Sequence, residues 1–173
     1  MGASVNEIGV QTPNTELEGK YITFQLDSEE YGIPILRVRE IIGMMKITSV
    51  PRTPEFVRGV VNLRGKVIPV IDLRRRFGLE FKESDDRTPI VVIEIPEDDM
   101  TVTQIGIVVD AVSEVINVIS GEIEETPSFG VDVETEFILG IAKKEDGIKT
   151  LLNIDKVLTE THRQALEQTK QSA

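Results

Sequence analysis

The sequence predicts a mainly β protein made of two related halves, and three observations support this. Short runs rich in Val and Ile recur along the chain, separated by turns of Gly, Pro and acidic residues. Only two segments show helical signals. Motifs of the first half return in order in the second. A chain of 173 residues can bury a core without disulfide bonds, and this chain has no cysteine to form them.

The predicted strands follow from local composition. Residues 21–26 alternate apolar and polar, a turn follows at 27–30, and residues 31–42 are apolar again. Pro96-Glu97-Asp98-Asp99 has the composition of a hairpin turn between two apolar runs. The remaining predicted strands, all rich in Val and Ile, are Val67–Leu73, Pro89–Ile95 and Ile105–Val109.

The two helical signals lie near Pro54 and at the end of the chain. Thr53 is a suitable N-cap and Pro54 a suitable first residue for a helix over Pro54–Val61. Apolar residues at helical spacing predict a closing helix over Asn153–Lys170, and its end and tail occupy 159–173. Residues 1–18 lack periodicity and are predicted to be a flexible leader.

The internal repeat is the most informative feature. Gly32–Ile42 recurs 74 positions later as Gly106–Ile116, and Thr53–Phe56 recurs 73 positions later as Thr126–Phe129. At an offset of 81, Glu55–Val60 matches Glu136–Ile141, and Val70–Leu73 matches Leu151–Ile154. The region 19–158 is therefore predicted to be a duplicated β unit with halves of roughly 19–87 and 88–158, between which strands could be exchanged. Such halves pack over a shared apolar seam and leave a groove suited to a partner helix.

Charge and motif content argue against several classes of function. The net charge of −11 opposes nucleic-acid binding, leaving binding of single strands by a small barrel as a remote alternative. No signal peptide and no apolar run of about 20 residues is present, so we expect a soluble intracellular protein. His162 is the only histidine, which excludes an imidazole metal site and makes a bystander role the expected one. No phosphate-binding loop occurs, and no cofactor is predicted.

Acidic clusters keep one enzymatic alternative open. Two carboxylates at a suitable separation could hydrolyse a glycoside. However, the clusters lie beside Gly, Pro and Ser in predicted turns, where solvated acids are ordinary. They are Glu29-Glu30, Glu83–Asp86, Glu97–Asp99, Glu122–Glu125 and Glu145-Asp146.

Basic residues concentrate in one region of this acidic chain. Seven of the nineteen basic residues fall within 52–76. For Arg74-Arg75-Arg76 the simpler interpretation is a solvated face. Arg64 differs, because it is predicted in a turn between a short helix and a buried strand, and its counterpart in the second half is Glu145. This departure from the repeat suggests a binding role.

Two long motifs, Tyr31–Ile41 and Thr53–Leu73, resemble the CheW family of chemotaxis coupling (adaptor) proteins. Gly106–Val115 and Phe137–Ile154 resemble it too, so that the similarity extends from about Tyr21 to Leu158. The resemblance implies two SH3-like five-stranded β-barrels packed side by side, without enzymatic activity. It also implies an adaptor that couples chemoreceptors (methyl-accepting chemotaxis proteins) to the histidine kinase CheA in bacterial chemotaxis. Such a protein is cytoplasmic and is recruited to membrane-associated receptor arrays.

The resemblance also assigns partner-binding residues, with no direct membrane insertion and no nucleic acid as partner. By motif position, the receptor groove is formed by Val38, Gly59, Arg64, Gly106 and Val115. Glu40 and Phe129 are further candidates for contact with the receptor or with the regulatory domain of CheA. The valines could equally be core residues and the glycines turn residues.

A related alternative is that the same module belongs to a larger protein, either as the regulatory domain of CheA or fused to a phospho-receiver. The length and Met1 favour a free-standing coupling protein.

Overall fold

The computed structural model describes residues 16–125, 135–159 and 161, and this part of the chain is mainly β, as predicted. Two short α-helices, α1 (Leu73–Arg76) and α2 (residues 154–159), follow the fifth and the eleventh strand. Single 3-10 turns lie at Ile35–Arg37, Ser120–Glu122 and Thr135–Phe137. The strands of the described residues are β1 (Gly19–Leu26), β2 (Glu29–Pro34), β3 (Val38–Ile42), β4 (Val57–Leu63), β5 (Lys66–Asp72), β6 (Ile90–Pro96), β7 (Val102–Val108), β8 (Ala111–Val118), β9 (Ile123–Glu124), β10 (Ile138–Lys144) and β11 (Gly147–Leu152).

The strands form two sheets, and each sheet draws on both halves of the sequence. Sheet A has the order β8-β1-β2-β11-β10-β9, and sheet B has the order β3-β6-β7-β5-β4. Sheet A therefore combines the first two strands of the chain with the last four, whereas sheet B combines β3, β4 and β5 with β6 and β7. In both sheets the first hairpin of one half pairs with the later strands of the other half.

The duplication seen in the sequence is present in the three-dimensional structure. β5 pairs with β7 in parallel at Val70 and Gly106, and β11 pairs with β2 in parallel at Leu151 and Gly32. These pairs are equivalent under the sequence repeat. In both, glycine permits close approach: an added Cβ would lie 3.1 Å from Leu151 Cδ2 at Gly32, and 2.8 Å from Ile90 Cγ2 at Gly106.

The helix starts repeat as well. The Asp72 carboxylate accepts hydrogen bonds from the backbone N–H groups of Arg74 and Arg75 at the start of α1. At the start of α2, Asn153 Oδ1 accepts from the N–H of Lys156 at 3.2 Å. Each half therefore ends on a strand followed by a capped helical turn.

The main core lies between the sheets. Its fully buried side chains include Phe24 and Ile33 from sheet A, Ile93 and Ile107 from sheet B, and Leu158 from α2. Two smaller apolar clusters lie within the individual sheets, one containing Tyr21, Val118 and Leu151, the other Val61, Ile68 and Val70. The core between the sheets contributes most to stability, because it contains more buried apolar residues than either smaller cluster. Burying each large side chain contributes about 1.5–3 kcal/mol.

The helix predicted over Pro54–Val61 is wrong. The Val57 N–H donates to the Pro54 carbonyl at 3.0 Å in a turn, and β4 begins at Val57. Its valines pair with β5, for example Val57 with Ile71. Tertiary strand pairing thus outweighs the local capping signals of Thr53 and Pro54.

The predicted closing helix is present at 154–159 and at 161. The rest of its predicted extent, and residues 1–15 of the predicted leader, lie outside the described residues. No helix in the described ranges is both long enough and apolar enough to cross a membrane.

Candidate functional site

Arg64 occupies a strained turn between β4 and β5, and not the helix-to-strand turn predicted from the sequence. Arg64 and Gly65 form a two-residue hairpin loop with positive φ values of 53° and 86°. Asn62 Oδ1 accepts a hydrogen bond from the Gly65 N–H at 2.8 Å and fixes the loop. A left-handed conformation costs a residue with a Cβ about 1–2 kcal/mol.

The side chain of Arg64 pairs with that of Glu40. Arg64 Nη2 contacts Glu40 Oε2, so the loop is tied to β3, at the opposite end of the order of sheet B. The Arg64 side chain is 67% exposed, and that of Glu40 is 28% exposed. Because exposed ion pairs contribute only about 0–1 kcal/mol, the pair mainly orients the guanidinium. The structure thereby brings together two of the predicted contact residues.

Gly59 has a structural task. Residues 43–50, here called the strap, run from β3 back to β4, where Thr48 and Val60 exchange backbone hydrogen bonds of 2.8 and 2.9 Å. Gly59 has a φ of 139°, and an added Cβ would lie 2.1 Å from the Thr48 carbonyl oxygen. The strap also places Met44, Met45 and Ile47 against the apolar cluster of sheet B. Gly59 therefore allows the strap to close over β4.

Val38 and Gly106 lie inside the fold. Val38 is half-buried, pairs with Ile93 of β6 and packs against the main core. Gly106 is buried in the middle of β7, between Val70 of β5 and Val92 of β6.

Val115 lies apart from the other predicted residues, on β8 of sheet A, where it pairs with Ile22. Its exposure of 51% leaves it accessible. Phe129 lies outside the described residues.

An apolar cavity of about 200 Å³ lies between sheet B and α2. Val57 and Ile71 come from the first half, and Ile105 and Leu158 from the second, so the cavity lies at the junction of the halves. Of the predicted site residues only Gly59 lines it. The sequence predicts a Val- and Ile-rich groove between the copies but does not place it, because α2 reaches sheet B through contacts about 100 residues apart in the sequence.

The run Arg74–Arg76 is not the solvated face predicted from the sequence. Arg74 is 9% exposed. The guanidinium of Arg75 lies 4.4 Å from the centroid of the Phe81 ring. That of Arg76 lies 5.6 and 5.2 Å from the centroids of the Phe56 and Phe137 rings, which are equivalent residues of the two halves. Arg76 therefore links aromatic rings of the two halves, and the run as a whole packs against the protein.

Two of the acidic clusters converge, on a buried lysine. Lys149 Nζ lies 2.8 Å from Glu30 Oε1 and 3.1 Å from Asp146 Oδ2, and its side chain is 3% exposed. Burial lowers the pKa of Lys149, but hydrogen bonds to Glu30 and Asp146 outweigh burial and leave this pKa raised. In the first half the equivalent residue is the core residue Ile68. The two carboxylates thus neutralise a buried ammonium group.

The other acidic clusters lie apart along the fold. Residues 97–99 lie in the β6–β7 connection, 83–86 in the α1–β6 connection, and 122–125 around β9. Among the described residues, no three or more acidic or histidine side chains are placed to hold a metal ion.

The sequence of this chain is similar to those of known chemotaxis proteins. A family model described as CheW-like domain matches residues 20–162. The chemotaxis protein CheW of Klebsiella aerogenes is 35% identical over 157 residues, which cover 91% of this chain and 89% of the relative. That of Bacillus subtilis is 36% identical over 140 residues, covering 80% and 86% of the two chains.

A solved structure shows the same likeness. The crystal structure of the scaffolding protein TtCheW from Thermoanaerobacter tengcongensis is 37% identical, with a TM-score of 0.70. The similarity covers 81% of this chain and 92% of that one. With nearly the whole described fold matched in both sequence and structure, the chain belongs to the family of CheW-like domains.

Proposed function

We propose that this protein is a non-enzymatic chemotaxis adaptor that couples chemoreceptors to the histidine kinase CheA. In this proposal one surface binds the helical cytoplasmic tip of the receptors, and another binds the regulatory domain of the kinase. The protein acts in the cytoplasm and is recruited to receptor arrays at the membrane. Family membership and the likeness to a scaffolding protein support an adaptor role.

The observation that carries the proposal is the arginine at the left-handed position of the β4–β5 loop. The fold alone favours glycine or asparagine there. The protein nevertheless has Arg64, holds it through Glu40, and exposes two thirds of its side chain. The N–H donors beyond the Glu40 contact face solvent, where a partner's backbone carbonyl or carboxylate can accept from them.

The receptor side of the site combines this charged loop with apolar surroundings. Val67, three residues after Arg64 at the start of β5, is 65% exposed. An amphipathic helical tip has the matching chemistry, because its apolar side chains can meet this valine while its polar groups meet the guanidinium. We assign Arg64 and Glu40 to receptor binding on this basis.

The test is Arg64→Gly, which removes the side chain and at the same time relieves the backbone strain. We expect a protein at least as stable as the wild type, with affinity for a receptor tip fragment reduced about tenfold or more, the loss of one charge-assisted contact. Affinity for the CheA regulatory domain should stay within about twofold. Both are measured by calorimetric titration.

The matched control is Lys66→Ala, which removes an exposed basic residue two positions away on β5. It should leave both affinities unchanged. If Arg64→Gly binds the receptor fragment as the wild type does, Arg64 has no role in receptor binding. If the folded wild type binds neither partner, the adaptor proposal itself fails.

A further inference from the structure

Two well-formed ion pairs join the halves of the chain. Arg37, in the connection between β2 and β3, forms a bidentate pair with Asp155 of α2, with distances of 2.7 Å from Nε to Oδ1 and 2.9 Å from Nη2 to Oδ2. Arg74 of α1 pairs with Asp110, in the connection between β7 and β8, at 2.6 Å. The second pair is nearly buried, with side chains 11% and 10% exposed.

These two pairs occupy equivalent places with their charges inverted. Arg74 and Asp155 are 81 positions apart and are each the second residue of the helix that closes their half. Arg37 and Asp110 lie in the equivalent connection between the second and third strands, 73 positions apart, one residue out of register with the 74-position repeat of Gly32–Ile42. The first half thus contributes both arginines, and the second half contributes both aspartates.

The strand pairing of the backbone is the same for the two halves, so it does not determine which half pairs with which. The parallel pairs β5–β7 and β11–β2 have the same register, and the antiparallel pairs β3–β6 and β1–β8 are likewise equivalent. Two copies of the chain could therefore pair first half with first half and second half with second half, here called like-half pairing. The strand hydrogen bonds would be satisfied in either arrangement.

The side chains do distinguish the two arrangements. In like-half pairing Arg74 would meet Arg37, and Asp155 would meet Asp110, which leaves like charges together at partly buried positions. The pair of Lys149 with Glu30 acts in the same direction, because Glu30 would face the equivalent of Lys149 in the first half, the core residue Ile68.

The overall charge of the halves reinforces this discrimination. Residues 19–87 contain 13 basic and 10 acidic residues, a net charge of +3. Residues 88–158 contain 4 basic and 15 acidic residues, a net charge of −11. Two second halves therefore repel each other strongly, whereas unlike halves attract.

We infer that the interface between the halves is coded by charge, so that it accepts the unlike half and rejects a second copy of the same half. The code acts on the assembly of the chain and is independent of the proposed adaptor function. It directs each exchanged hairpin to the correct half. The repeated backbone geometry alone would allow pairing with either half, so the side-chain charges must supply the selectivity.

The test inverts one pair within the full chain, as Arg37→Asp combined with Asp155→Arg. This double variant retains the ion pair in the native arrangement. In its first half an acidic side chain at position 37 accompanies Arg74, and in its second half a basic side chain at position 155 accompanies Asp110. Each half thereby becomes complementary to its own copy. The protein is unfolded in urea and refolded at several protein concentrations, and its mass is measured by light scattering after size-exclusion chromatography.

We expect the double variant to give about tenfold more dimer than the wild type at low salt, and much less excess at about 1 M salt, where the Debye length is about 3 Å. The control is Lys143→Glu combined with Glu124→Lys, which inverts a 2.7 Å pair lying within the second half. It should refold like the wild type. The wild type, the double variant and the control can all form dimers by ordinary strand exchange between unlike halves. The result is therefore the amount of dimer in excess of that formed by the wild type.

A second measurement needs no variant. Wild-type protein refolded at high salt should yield more dimer than at low salt, because screening weakens the rejection of like halves. The inference is overturned if the double variant gives no more dimer than the control, or if the wild-type product does not respond to salt.

Discussion

Gly59→Ala is expected to open the strap of residues 43–50, although the substitution adds a single methyl group. The added Cβ would lie 2.1 Å from the carbonyl oxygen and 2.7 Å from the carbonyl carbon of Thr48. Both atoms belong to the backbone, so no side-chain rotation can relieve the overlap. The strap must move away from β4, and its apolar residues then leave the cluster of sheet B.

The magnitude follows from three contributions. The two hydrogen bonds between Thr48 and Val60 contribute about 0.5–1.5 kcal/mol each. The φ of 139° lies in a region favourable only to glycine, which adds about 1–3 kcal/mol. Partial exposure of the apolar side chains of the strap adds to this. We expect a loss of about 3–5 kcal/mol in the free energy of unfolding, measured by urea denaturation.

Two other glycines separate the contributions. Gly78 has a φ of 79° and nothing within 4 Å of an added Cβ, so Gly78→Ala should show the backbone strain alone, about 1–2 kcal/mol. Gly140, the equivalent of Gly59 in the second half, would bring a Cβ to 3.1 Å from Ile123 Cγ2 and 3.2 Å from the Glu124 carbonyl oxygen, a much milder overlap. Hydrogen exchange at the amides of Thr48 and Val60 reports opening of the strap. If Gly59→Ala costs no more than Gly78→Ala and both amides stay protected, the reasoning is refuted.

Other predictions concern the buried charges. Arg74→Met removes the ion-pair partner of Asp110, whose carboxylate keeps the hydrogen bond from the Asp27 N–H, and should cost about 3–5 kcal/mol in urea unfolding. Arg37→Met, at a pair about one third exposed, should cost about 1 kcal/mol, and equal costs would contradict this. Lys149→Ile should lower the melting temperature, because it removes the ammonium group that pairs with the Glu30 carboxylate. Adding Glu30→Gln should restore a measurable part of the melting temperature. No recovery would show that the lysine does not act by neutralising Glu30. Because the pKa of Lys149 is raised in the folded state, its stabilisation is complete below the ordinary value of 10.5 and is lost as pH rises through the higher folded pKa. The Lys149→Ile, Glu30→Gln double variant should therefore lose less stability than the wild type in this alkaline range; equal losses would exclude this linkage.

The strands could be predicted wherever the local pattern was strong. Residues 21–26 and 67–73 carry dense β-branched or alternating sequence and correspond closely to β1 and β5. The failure at Pro54–Val61 arose because Thr and Pro suit a helix start as well as the turn that precedes β4. The exchange of hairpins between the sheets depends on pairings more than 30 residues apart, which local patterns do not encode.

The site was partly visible in the sequence. Arg64 stood out because its counterpart is Glu145, a comparison that needs only the repeat. Its contact with Glu40 was not visible, because the two residues are brought together by the curvature of sheet B. The prediction that Arg74 is solvated is wrong, because a run of three arginines gives no sign that the first is buried against Asp110.

The exchanged hairpins also determine when folding can finish during synthesis. Gly32 of β2 pairs with Leu151 of β11, which leaves the ribosome 119 residues later. Until then the first hairpin, with its apolar face and unpaired strand edges, has no partner on its β11 side. High contact order of this kind slows folding, and it makes the last strand the step that commits the nascent chain to its native form. In a chain truncated before β11, the core that the two sheets share would therefore stay incomplete, in addition to the loss of the last strand.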